Sequence, residues 1–217
     1  MAQKEREQAL EMISYLIGDE ETSRDEIIDR FSQNSQRYDK VMETVNFMGP
    51  LITAQTTAEL FLSNRKNVYI LDVAAGTGLC AEKLYSHGFR KMDALDPSSR
   101  MLDEARRKGL YGRYFTEALR ENALNIANDT YDAVTISAMS SMVLIKLPIE
   151  AFEELIRIVK PGGYIINTFM HSLLSAVLLR ENMKTLEDQG KWKQIELKHF
   201  QRPGNGNDVV SVHKVLT

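Results

Sequence analysis

Two glycines and two acids are spaced as they would be at a nucleotide-type site. Gly76 and Gly78 follow the run Val68-Tyr69-Ile70-Leu71-Asp72-Val73-Ala74-Ala75, and Asp96 comes one predicted strand later. A glycine turn between strand and helix presents backbone N–H groups and a positive helix end to a ligand. Neither glycine has a Cβ, so the backbone can turn tightly and approach that ligand closely. Gly76-x-Gly78-x-x-Ala81 also fits a dinucleotide fingerprint, so the turn alone leaves a nicotinamide cofactor open. Asp96 stands where an acid accepts hydrogen bonds from ribose hydroxyls, which suits any adenosine-containing cofactor. Asp72 lies inside the strand, where a buried carboxylate must be paired or hydrogen-bonded. It either braces the glycine loop or meets a cationic part of the ligand. His171 is the best-placed candidate for a general base, with a structural role as its rival. Cys80 reads as a packing residue.

The elements that must hold these residues alternate. Residues 68–73, 92–96, 111–115, 132–137 and 164–169 read as strands. Helices are expected over 79–87, from Pro97-Ser98 to Gly109, over 150–159 and over 173–189. Lys160-Pro161-Gly162-Gly163 reads as a sharp turn into the fifth strand. Residues 192–200 and 209–215, joined by Pro203-Gly204-Asn205-Gly206-Asn207, read as a hairpin. Ahead of the first strand come four helical stripes. The first spans 3–17, and the second is capped by Thr22 or Ser23 with Ile27, Ile28 and Phe31 on its inner face. The third runs from Ser35 to Gly49-Pro50, and the fourth covers 51–62. The expected fold is α/β: a doubly wound, Rossmann-like, seven-stranded and mostly parallel sheet with a C-terminal antiparallel hairpin and an N-terminal helical cap. Residues 1–66 would form the arm and cap, and 67–217 the main domain.

With 43% hydrophobic and 26% charged residues among 217, the chain has the make-up of one globular core. Its net charge of −3 supplies no general field for nucleic acid or anionic membrane, so neither is expected as a partner. The apolar stretch 173–179 is far too short to cross a bilayer. Residues 1–8 lack a signal-peptide core. A single cysteine excludes an internal disulfide and a cysteine-held metal cluster, and no metal is expected. A cytoplasmic setting follows as the expectation.

Leu71-Asp72-Val73-Ala74-Ala75-Gly76-Thr77-Gly78 resembles the first motif of the class I S-adenosylmethionine-dependent methyltransferases. Asp96-Pro97-Ser98 with Met101-Leu102 resembles their second motif. Tyr131-Asp132-Ala133-Val134 resembles their fourth strand and Lys160-Pro161-Gly162-Gly163 the turn before their fifth. Within the class, Leu79-Cys80-Ala81-Glu82-Lys83-Leu84 and Ala105-Arg106-Arg107-Lys108-Gly109-Leu110-Tyr111 are similar to the methyltransferase-like protein 27 subgroup. The resemblance implies S-adenosylmethionine as cofactor, held by Tyr38, Asp72, Ala74, Gly76, Gly78, Asp96, Pro97, Met101, Glu117, Ala118, Ser137 and Ala138. Gly76 and Gly78 would carry the methionine part, with Asp72 near its amino group and Ser137 and Ala138 facing it. Asp96 would hold the ribose, Pro97 and Met101 would pack on the adenine, and Glu117-Ala118 would read its edge. Tyr38 would lie in the helix that closes over the cofactor. Packing remains the rival reading for Tyr38 and Met101.

For the acceptor, the resemblance argues by absence. Ser137-Ala138-Met139-Ser140-Ser141-Met142 stands where methyltransferases of adenine or glutamine amino groups carry an Asn-Pro-Pro-Tyr-like turn. Met139, Met142 and Met170 suit an adaptable apolar pocket. The expected partner is a small-molecule methyl acceptor, partly apolar. A cofactor-binding adaptor without turnover is the alternative.

Overall fold

The computed structural model describes residues 2–121, 123–202 and 206–217. Four helices come first: α1 (Ala2–Ile17), α2 (Arg24–Gln33), α3 (Ser35–Thr44) and α4 (Gly49–Leu60). The alternating part follows as β1 (Tyr69–Val73), α5 (Leu79–Ser86), β2 (Lys91–Leu95), α6 (Ser99–Lys108), β3 (Tyr114–Phe115) and β4 (Tyr131–Ser137). Then come α7 (Ser141–Leu144), α8 (Ile149–Ile158), β5 (Val159–Met170), α9 (Val177–Asp188), β6 (Trp192–Arg202) and β7 (Gly206–Val215). The strands form one seven-stranded sheet in the order β3-β2-β1-β4-β5-β7-β6. β1 to β5 run parallel, and β7 is antiparallel to both β5 and β6.

β1 is apolar along nearly its whole length because both of its faces are covered. Ala54 and Ala58 of α4, Ala81 and Leu84 of α5, and Leu102 and Ala105 of α6 pack on one face. Phe152 and Leu155 of α8, with Leu179 and Leu186 of α9, pack on the other. The strand order reverses between β1 and β4, which leaves a crevice beyond their C-terminal ends. Over that crevice α2 and α3 lean on α6, and α1 lies across both.

The structure redraws several boundaries. α3 stops at Thr44, and Asn46 turns the chain with φ 53°. Gly49-Pro50 therefore opens α4, where a proline loses no hydrogen bond in the first turn. The third strand shrinks from 111–115 to two residues. The Tyr111 hydroxyl is drawn inward to Asp72, and Gly112 N–H turns to Met92 O. Lys160 to Gly163 is no sharp turn but a bulge within β5, where the register slips against β4. A Cβ on Gly163 would sit 2.6 Å from Asp132 O, so only glycine fits there. The helix expected over 173–189 is broken at Ala176, with a 3-10 turn, His171–Ser175, ahead of α9. α7 has no counterpart among the expected elements. Of the hairpin turn, 203–205 lie outside the described residues. No helix among the described residues is long and apolar enough to cross a membrane.

Candidate functional site

At the end of β1 the backbone turns through Ala74 (φ 54°), Gly76 (φ 55°) and Gly78 (φ 86°) into α5. Asp96, at the end of β2, ties this loop to the next one. One carboxylate oxygen accepts Gly76 N–H (2.9 Å) and the other Ser98 N–H (2.8 Å). The Ser98 hydroxyl accepts Met101 N–H to cap α6 and lies 2.7 Å from the Ser32 hydroxyl of α2. Ala74 is the unexpected member, because an alanine in the left-handed region costs about 1–2 kcal/mol. Ala74→Gly relieves that strain against the larger chain entropy of glycine. The expected net gain is about 0.5–1 kcal/mol, read as a higher denaturant midpoint.

A cavity of about 790 Å³, counting its open mouth, lies against these loops. Tyr38, Ala74, Gly76, Asp96, Pro97, Met101, Glu117, Ala118, Ser137 and Ala138 line it. The structure thus brings ten of the twelve expected cofactor residues together. Gly78 stands off to one side, facing Ala105 and Tyr111. Asp72 lies beneath the loop, buried, accepting hydrogen bonds from the Tyr111 hydroxyl (2.5 Å) and the Thr135 hydroxyl (2.8 Å). His171 is exposed, its ring 5.1 Å from that of His199, and lines neither this cavity nor the one beside it.

The sequence reading missed the roof. Arg24, Ile27, Ile28 and Phe31 of α2 close the cavity from above, with Val143 of α7 at its side. Ile27, Ile28 and Phe31 were legible as an inward stripe, but periodicity does not say whether the inside is a core or a ligand. A second cavity of about 1110 Å³ adjoins the first. Phe31, Tyr38, Ala138, Met139 and Ser140 line both. The second cavity is walled by Leu10, Ile13, Leu16 and Ile17 of α1, Met42 of α3, and Phe169, Met170 and Phe200 from the sheet. Its charged groups are Arg6 and the buried Asp208. Met142, grouped by sequence with Met139 and Met170, lines neither cavity.

Burial raises the Asp96 carboxyl to about 6 despite the Ser98 and Gly76 N–H donors. It raises Asp72 to about 6 as well, against the pull of the Tyr111, Thr135 and Cys80 donors and with a push from the Asp96 charge. Such a group holds a proton in the folded state that the unfolded chain has released, so its share of stability falls as pH rises from about 4 to about 6. Buried His213, lowered to about 4, runs the other way, adding stability as pH rises through the same window. Global stability therefore mixes opposite signs. Ligand binding is cleaner, because His213 lies against Trp192, outside both cavities. Hydroxyl donors on the ligand favour the ionised Asp96. Affinity for an adenosine ligand is expected to rise from pH 5 to pH 7, by up to about tenfold per pH unit, with proton release near pH 6. Calorimetry in buffers of different ionisation enthalpy checks this; pH-independent binding without proton release would contradict it.

Residues 70–163 match the family model described as "Methyltransferase domain". The chain is 31% identical over 160 residues to human Methyltransferase-like protein 27, covering 72% of this chain and 64% of that protein. It is 34% identical over 148 residues to a Ubiquinone/menaquinone biosynthesis C-methyltransferase of Sinorhizobium fredii, covering 64% of this chain and 55% of that one. The chain thus spans under two thirds of the length of either relative. Among solved structures, a SAM-dependent methyltransferase of Leishmania major superposes with a TM-score of 0.64 at 15% identity, over 90% of this chain and 86% of that one.

Proposed function

The chain carries a methyltransferase domain of the class I S-adenosylmethionine-dependent family, and from that premise we propose that it methylates a small, partly apolar acceptor held in the second cavity. The observation that carries this reading is the wall common to the two cavities, because methyl transfer needs donor and acceptor side by side.

The first cavity fits the cofactor. It offers one buried acid, Asp96, apolar faces from Pro97 and Met101, and a glycine loop on which a Cβ at Gly76 would crowd Met101 Cε at 3.2 Å. Asp96 would accept from the ribose, Glu117 and Ala118 would border the adenine, and Ala74, Gly76, Ser137 and Ala138 would flank the methionine part. When bound, S-adenosylmethionine supplies a methyl group already activated on a sulfonium. The protein's part is alignment and exclusion of water, and alignment can supply roughly 7–11 kcal/mol of the barrier reduction. Tyr38 and Met139, on the shared wall, would set the approach between the cavities. No histidine is among the described residues lining the second cavity, so the reading gives His171 no proton to take. Asp72 is held by the Tyr111 and Thr135 hydroxyls and lines neither cavity, so its part on this reading is to fix the strand beneath the loop.

The apolar wall of the second cavity supports an apolar acceptor, and the quinone C-methyltransferase of Sinorhizobium fredii supports the same class. Labelled S-adenosylmethionine with a panel of small amphipathic acceptors tests this. The expected result is label in an organic-extractable small molecule. Label confined to peptides or nucleic acids overturns the acceptor class, and cofactor binding without turnover on any acceptor favours the adaptor alternative.

A further inference from the structure

Thr77 lies in the glycine loop between Gly76 and Gly78 and is almost fully buried. Its hydroxyl donates to Asp39 Oδ1 of α3 at 2.5 Å. The other oxygen of Asp39 meets Lys108 Nζ, at the end of α6, at 2.8 Å. Lys108 is largely buried and also approaches Glu82 Oε2 of α5 at 3.4 Å. One carboxylate of the cap is thus held by the loop on one side and by the α5–α6 layer on the other. The Thr77 hydroxyl supplies the directional hydrogen bond, while Lys108 holds the half-exposed carboxylate as an ion pair without hydrogen-bond geometry, so the two together limit its rotation.

Asp39 is next to Tyr38, whose ring meets Phe31 edge-on at a centroid distance of 5.9 Å and lines both cavities. α3 also contributes Met42 to the second cavity. Fixing the height and rotation of α3 at Asp39 therefore fixes Tyr38 at the wall where the two cavities meet.

Building on the methyltransferase reading, we propose that Asp39 is a positioning residue: with Thr77 and Lys108 it latches α3 to the glycine loop and holds Tyr38 in place over the cofactor. Asp39 lines neither cavity and acts through its neighbour. The side chain of Thr77 is set by this contact rather than by the ligand, which explains a buried hydroxyl in a loop otherwise built of small residues.

The test is calorimetry with S-adenosylhomocysteine on the full chain. Thr77→Val, which keeps the shape and removes the donor, and Asp39→Asn, which removes the charge, are each expected to weaken binding by about five- to tenfold. Thr77→Ser, which keeps the donor, is expected to bind within about twofold of the parent. In a Tyr38→Ala background, Asp39→Asn is expected to add less than about twofold, because the residue it positions is gone. A full-sized effect of Asp39→Asn in that background, or no effect in the parent, overturns the latch. If Asp39→Asn fails to fold, the Thr77→Val and Thr77→Ser pair decides the matter: failure of serine to rescue overturns the latch. Absence of binding by the parent protein overturns the cofactor reading and the latch with it, whereas parent binding with unaltered variants overturns the latch alone.

Discussion

Asp96→Ala is expected to weaken S-adenosylhomocysteine binding by about 1.5–3 kcal/mol, roughly ten- to a hundredfold, while the fold persists. Two losses combine. On the proposed reading the ribose loses a charged acceptor, and the glycine loop loses the carboxylate that ties Gly76 N–H to Ser98 N–H. Stability responds differently, because the wild-type carboxylate is buried at a cost that lifts it to about 6. Removing it relieves that cost at neutral pH and orphans two N–H groups at the wall of the first cavity, so the terms oppose one another. Calorimetry gives the affinity and a urea titration the stability. Unchanged affinity in a folded variant would mean that the ribose is held elsewhere.

Asp93→Ala, three residues earlier and within β2, is expected to do the reverse. Asp93 is buried and accepts from the Tyr69 hydroxyl (2.5 Å), the Tyr131 hydroxyl (2.8 Å), and Arg113 through its backbone N–H (2.9 Å) and Nε (2.8 Å). Tyr69 and Tyr131 open β1 and β4, so this cluster knits the sheet at the strand ends away from the cavities. Arg113 is half exposed and can be rehydrated, but the Tyr131 hydroxyl cannot be without disturbing the packing around its fully buried side chain. The substitution should cost about 3 kcal/mol of folding stability. Cofactor affinity at a temperature where the variant is folded should stay within about twofold of the parent. A urea midpoint within experimental error of the parent would show that the tyrosines find other acceptors.

These two acids mark what the sequence made legible. The position of Asp96 at the glycine loop and the first cavity was readable because it depends on spacing along one strand–helix–strand unit. The Ser98 cap and the Gly109 stop of α6 were readable for the same reason, since local chemistry sets both. Asp93 was not readable, because its partners come from three distant segments and nothing in the run 91–95 announces them. The roof of the first cavity failed in another way. Ile27, Ile28 and Phe31 form a correct inward stripe, yet a helical stripe over a ligand and one over a core look alike until the strands are placed. Lys160-Pro161-Gly162-Gly163 was read from glycine and proline as a turn, while the pairing of β5 with β4 on both sides of it makes it a bulge.

The wall common to the two cavities also bears on how the acceptor of this protein could change. A substitution at Phe31, Tyr38, Ala138, Met139 or Ser140 changes both cavities at once, so on the proposed reading selection for a new acceptor there would be penalised through the methyl donor. Leu10, Ile13, Met42, Phe169, Met170 and Phe200 touch the second cavity alone, and all of them lie outside the span 70–163 that matches the family model. On that reading acceptor choice could drift along α1, α3, β5 and β6 while the donor cradle stands still, since most of the residues that line the second cavity alone fall outside the span matching the family model.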